Sequence, residues 1–188
     1  GALVQVYWLD LAAPEDGWQP GPSLRVPRRD HALVVMDGAL VALGGRYRLP
    51  AGVQALPLER ESAVHALQHC STDPGTGEDW CSLAYTERYQ PSAHGDQRWE
   101  PWPERHLDQS RIAPGAQVHE GTLLVVGGSS RADDGVSASW TAELFQGSAD
   151  APELLDLPVE VPAARGATLF DRAWFYADAP LPTDNGAL

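Results

Sequence analysis

Two cysteines, Cys70 and Cys81, bracket the turn-rich stretch STDPGTGEDW. Joined as a disulfide they would staple a short loop, a constraint worth about 2 to 3 kcal/mol through the entropy it removes from the unfolded chain. Such a bridge belongs to an oxidising compartment. With the acidic composition it points to a secreted or periplasmic setting, a cytoplasmic one being the alternative. His65 and His69, spaced i, i+4, open a second reading in which His65, His69, Cys70 and Cys81 hold zinc. Their order is not a recognised zinc spacing, so no metal and no cofactor are expected. Free thiols are the third reading. No G-x-S-x-G, phosphate-loop or H-E-x-x-H motif occurs. Asp133-Asp134-Gly135 reads as a turn, because the remaining ligands of a calcium loop are missing.

Arginine is the other residue type whose placement suggests chemistry. Arg29, Arg111 and Arg165 each stand just before an apolar, strand-like stretch, and Arg46 and Arg131 follow shortly after a Gly pair. With His31 beside Arg29, these six are the candidate ligand residues. Guanidinium forks grip carboxylates through two parallel hydrogen bonds, which suits an acidic protein segment or another carboxylate ligand. The competing reading is that these arginines pair with acids in the same loops and tie neighbouring units together.

The elements that must position these groups follow from composition and repetition. The chain has 188 residues with 43% apolar and 21% charged, enough apolar content for a core. Its 18 Gly and 16 Pro are spread along the chain, which makes long helices improbable. A net charge of −13, with 13 Arg and no Lys, disfavours nucleic-acid binding. No apolar run is long enough to span a bilayer. The chain opens at Gly1 directly before LVQVYWLDL, which reads as a processed, trimmed or excised chain.

Three segments align without gaps: GALVALGG from Gly38, GTLLVVGG from Gly121 and RAWFYADA from Arg172. Each follows an acidic residue (Asp37, Glu120, Asp171) and a short apolar stretch, the pattern of a β-hairpin with a tight turn. Aromatic stretches follow (VYWLDL, AYTERYQP, WTAELF), then WQPGP, WEPWP and ELLDLP. The unit is four short strands in about 50 residues, a period typical of repeat architectures.

On these residues the chain resembles the kelch family: apolar hairpins ending in Gly44-Gly45 and Gly127-Gly128, an aromatic third strand, then Trp before a Pro turn. The resemblance implies an all-β fold of kelch-like β-propeller blades, each of four antiparallel strands, about three of them in this chain. An ordinary β-sandwich is the alternative. The expected parts are a half-blade at 1–30, a blade at 31–103 with an insertion at 46–80, a blade at 111–158, a half-blade at 163–179 and a tail at 180–188. Propellers usually carry 4 to 8 blades. The ring is therefore expected to be completed by a second copy or by a different chain.

The resemblance also raises copper radical oxidases, but no segment matches such a site. It raises an iron pattern E-x3-D-x3-H as well, in which Glu104 and Asp108 fit and Ile112 replaces the histidine. Loops on one face of the disk would hold ten of the 13 Arg with 12 of the 26 acids, a charge of −2, against −11 elsewhere from three Arg and 14 acids. The first functional expectation is a binding or scaffold module that engages a protein or acidic ligand through that Arg-bearing face. The alternatives are a carbohydrate-active enzyme centred on His31, Arg29 and Arg111, and a structural half of a processed or oligomeric assembly.

Overall fold

The computed structural model describes residues 5–49, 68–72, 75–91, 99–132, 135–147, 151–169 and 172–177. In chain order the strands begin with β1 (Val6–Trp8) and β2 (Gln19–Gly21). A hairpin of β3 (Ala32–Met36) and β4 (Ala39–Leu43) precedes β5 (Arg46–Arg48), β6 (Gln68–Thr72), β7 (Asp79–Leu83), β8 (Thr86–Tyr89) and β9 (Glu100–Pro101). The next hairpin, β10 (Gly115–His119) and β11 (Thr122–Val126), leads to β12 (Ser129–Ala132), β13 (Gly135–Phe145) and β14 (Glu153–Val161). The last is β15 (Ala164–Leu169) with β16 (Arg172–Ala177). All pairings are antiparallel. The helices among the described residues are the single 3-10 turns Pro14–Asp16 and Pro103–Arg105, each opened by a proline. The fold is all-β.

Two units share one plan. β3, β4, β8 and β9 lie side by side in that order, and so do β10, β11, β13 and β14. Both hairpins turn on residues with positive φ, Asp37 at 51° with Gly38 at 75° and Glu120 at 48° with Gly121 at 75°. That is the two-residue turn whose twist suits paired strands. Past each Gly pair the chain re-enters a sheet: β5 pairs with β7, and β12 with the first half of β13. The third strand of each unit is thus long, continuous in β13 and split at Ala84 and Tyr85 between β7 and β8. Gly44 and Gly127 are required because neighbouring backbone presses on them, that of the following unit at Gly44 and that of β14 at Gly127. A Cβ on Gly44 would lie 2.7 Å from the Arg111 carbonyl, and one on Gly127 would lie 2.6 Å from the Val161 carbonyl.

The main core lies between the two units. Ala32, Met36, Val41 and Leu43 of the first pack on Ala116, Leu123, Val125 and Phe145 of the second. Burying each of the larger side chains contributes about 1.5 to 3 kcal/mol. A smaller cluster joins β1 to the first unit through Val6, Leu24, Leu40, Ala42, Tyr89 and Trp99. Trp99 also donates its indole N–H to the Pro22 carbonyl, 3.0 Å away. The first strands β3, β10 and β15 stand next to one another.

The third hairpin departs from the alignment by one residue. Leu169 pairs with Arg172, so residues 170–171 and not Asp171-Arg172 join β15 to β16. A one-residue slip reverses which side chains face the neighbour. The reason is visible at Phe175, whose ring closes on the positions of Gly115 and Gly166, where no side chain competes. The 46–80 insertion is a sheet extension in its described part, β5–β7–β6. His65, Asp133, Asp134 and the 180–188 tail lie outside the described residues.

Candidate functional site

The loops before each first strand are organised by a buried cation. Arg28 is 2% exposed and Arg111 is 0% exposed. They occupy the same place, nine residues ahead of Asp37 and of Glu120. Arg28 pairs with Glu87 at 2.6 Å and donates to the Gly44 and Tyr85 carbonyls. Arg111 pairs with Glu143 at 2.8 Å and donates to the carbonyls of Gly127 and Thr141 and the hydroxyls of Ser139 and Thr141. Glu143 in turn accepts the backbone N–H of Asp108 and Gln109. Burial pushes the Glu143 carboxyl up, opposed by Arg111 and by these N–H donors. Burial likewise lowers Arg28, opposed by Glu87. Each pair ties a third strand to the loop entering the same unit.

A different set reaches the surface. Arg29 lies over the Trp80 ring at 4.2 Å from its centroid, and Arg46 over the same ring at 5.3 Å. The two residues are also joined by backbone hydrogen bonds, N to O in both directions. Asp30 serves both guanidinium groups, 2.5 Å from Arg46 and 3.9 Å from Arg29. Their side chains keep 33% and 48% of their surface, respectively, open to solvent. Two cations against one aromatic ring with a single carboxylate between them leave a net positive site on a strongly acidic chain.

His31 follows directly. Its Nδ1 is buried with no hydrogen-bond partner among the described residues. Burial, then the nearby Arg28 charge, lowers its pKa to about 4, against a smaller opposing effect of Asp30. The imidazole is therefore neutral near pH 7 and able to donate or accept without adding charge. His106, beneath Tyr85, is lowered to about 4 for the same leading reason and accepts the Thr86 N–H. Arg29, Asp30 and His31 border a cavity of about 1140 Å³ whose other walls include Trp8, Leu33, Leu40, Tyr89 and Trp99.

The six arginine and histidine candidates thus separate. Arg29, Arg46 and His31 come together. Arg111 does not join them: it is sealed inside its unit with every donor group engaged, so a centre built from His31, Arg29 and Arg111 is not assembled. Arg165 stands within β15 instead of before it, exposed and opposite Tyr176. Arg131 is in β12, opposite Val136. Cys70 and Cys81 form a disulfide across directly paired positions of β6 and β7. Cys70 and Cys81 are therefore not zinc ligands, and no group of metal-binding side chains occurs among the described residues. Trp80, Asp30 and the Arg28 and Glu87 pair escaped the sequence reading. The matched spacing of Arg28 and Arg111 from their turns was the available signal for the pair, and Trp80 had none.

No family model and no curated protein matches the chain. Solved structures do match, in 99 chains. One titled "Structure of YjhT" superposes with a TM-score of 0.62 at 14% identity, covering 92% of this chain and 50% of that one. The likeness is one of fold, and the chain spans half the length of that structure.

Proposed function

We propose that the chain is part of a kelch-like β-propeller acting as a binding module, and that the Arg29 and Arg46 face takes a carboxylate-bearing, acidic protein ligand. The blade reading is supported by the repeated four-strand order, the Gly pairs and the three adjacent first strands. The observation that carries the ligand reading is the pair of half-exposed guanidinium groups held on Trp80 with one shared carboxylate. The ring and backbone bonds fix both forks before a ligand arrives, which reduces the ordering cost of binding. Neutral His31, at the cavity wall, offers an uncharged hydrogen bond to the same ligand.

Isothermal titration with a polyglutamate peptide at low salt tests the site. Arg29→Ala and Arg46→Ala should each weaken binding about 10-fold or more, because hydrogen bonds to charged groups are worth about 1.5 to 3 kcal/mol. Added salt should weaken the wild type in parallel. Unchanged affinity in both variants would leave these arginines as ties between neighbouring sheets.

A further inference from the structure

We propose that Asp30 sets the selectivity of the anion site: its carboxylate uses up the charge of Arg46 and leaves Arg29 as the fork that takes one carboxylate of the ligand at a time. The proposal rests on the carboxylate reading above and adds the residue that limits it.

The repeat shows that these side chains are not needed to build the place they occupy. Counted from the matched positions of Arg28 and Arg111, Arg29, Asp30 and Arg46 correspond to Ile112, Ala113 and Ser129. Trp80 stands opposite Arg48 as Val136 stands opposite Arg131, so the indole corresponds to a valine. The main chain is nevertheless the same in both units. Asp30 and Ala113 both have positive φ, 55° and 53°. Arg29 and Arg46 exchange backbone N–H and carbonyl in both directions, and so do Ile112 and Ser129. The Asp30 carbonyl accepts the Ala113 N–H at 2.7 Å, and the Ala113 carbonyl accepts the Ala164 N–H at 3.1 Å. Backbone alone therefore ties each loop to its strand and each unit to the next. The two guanidinium groups, the carboxylate and the indole of the first unit are an addition to that frame, and the fold does not account for them.

Geometry divides the two cations. Asp30 Oδ2 accepts from Arg46 Nε at 2.5 Å, a charge-assisted bond that fixes the Arg46 fork. The same oxygen is 3.9 Å from Arg29 Nε, within ion-pair range but beyond a hydrogen bond. Among the described residues the Arg29 guanidinium donates no hydrogen bond; it is held by the Trp80 ring, 4.2 Å from the centroid. Its planar fork keeps its donors for a ligand. Further along β5, Arg48 is paired with Glu78 at 2.6 Å and adds no net charge. Arg29, Arg46 and Asp30 together thus carry one unit of positive charge, which one carboxylate neutralises. A second carboxylate would meet Asp30 and the first anion with no cation left to offset them. Like charges about 4 Å apart disfavour that state by about 5-fold even in the dielectric of water.

Calorimetric titration with the polyglutamate peptide at low salt tests the proposal, with variants that keep the backbone. Asparagine accepts positive φ as aspartate does, and Ala113 shows that the loop forms without a carboxylate. Asp30→Asn should tighten binding about 5-fold or more, because the site then carries two positive charges. Arg46→Ala leaves Asp30 to neutralise Arg29 and should weaken binding about 10-fold. Arg46→Ala combined with Asp30→Asn returns the site to one positive charge and should recover affinity to within about 2-fold of wild type, a coupling that a double-mutant cycle reads directly. A double variant as weak as Arg46→Ala overturns the proposal, since Arg46 then grips the ligand itself. Asp30→Asn binding no tighter than wild type overturns it as well. In both cases a loss of affinity in Arg29→Ala keeps the carboxylate reading. Affinity unchanged by Arg29→Ala removes that reading and the proposal with it.

Discussion

Replacing Arg111 by Met takes away the buried cation while keeping most of its volume. Glu143, fully buried, then retains only the N–H groups of Asp108 and Gln109, and the Gly127 and Thr141 carbonyls each lose a donor. Breaking a buried ion pair from one side costs about 3 to 5 kcal/mol, because the remaining charge is left without compensation. Against a total of about 5 to 15 kcal/mol that is a large loss. For a chain of this size it corresponds to a melting temperature lower by about 6 to 20 °C. The pH dependence identifies the cause. Burial already raises Glu143, and Arg111 is the main influence holding it down. With the cation gone the folded carboxyl titrates well above the unfolded one. Its contribution is present below the unfolded pKa and lost as pH rises through the folded pKa, so the deficit is smaller near about pH 4 than near about pH 7. Urea unfolding followed by tryptophan fluorescence at both pH values, beside wild type, measures it. Glu143→Gln breaks the pair from the other side and leaves the Arg111 cation buried, so it should cost a similar amount, about 3 to 5 kcal/mol, with no titrating group at position 143 to make the deficit depend on pH. An Arg111→Met deficit under about 1 kcal/mol, or one equal at both pH values, would refute the reasoning and leave the pair as ordinary packing.

Gly127→Ala should cost about 2 to 4 kcal/mol, combining left-handed backbone at φ 61° with a clash on Val161. Gly38→Ala, with φ 75° and open space around it, should lose only about 1 kcal/mol in the same thermal melt; equal losses would mean that the close approach of Val161 contributes nothing. Acid should destabilise the fold through His31. Its folded pKa of about 4 lies below the unfolded 6.5, so the unfolded chain binds more protons in between, and stability falls as pH drops through that window. The effect is at most about 3 kcal/mol. His31→Gln should flatten that part of the unfolding profile, and an unaltered slope would assign the acid sensitivity elsewhere.

The hairpin turns at Asp37-Gly38 and Glu120-Gly121 were legible in the sequence, because few residue pairs accept positive φ twice in succession. The Cys70 and Cys81 bridge was legible because two cysteines bracketing a turn favour one local pairing. The Asp171 turn misled by a single position, since the acidic residue was aligned while the register is set by where Phe175 finds room beside Gly115 and Gly166. For the arginines the sequence held only the matched spacing of Arg28 and Arg111 from their turns, not the burial itself: Arg28 and Arg29 are adjacent, yet one is sealed against Glu87 and the other lies open on Trp80.

Sequence alone therefore determined the local geometry of this chain: antiparallel hairpins, their repetition, the Gly pairs and the covalent staple. These follow from backbone torsions and from contacts between residues close along the chain, which a one-dimensional pattern records directly. Only the tertiary structure decided which cations are structural and which face solvent. Arg111 meets Glu143 and Arg29 meets Trp80 across 32 and 51 positions of the chain, and the charge each presents depends on which sheet closes over it.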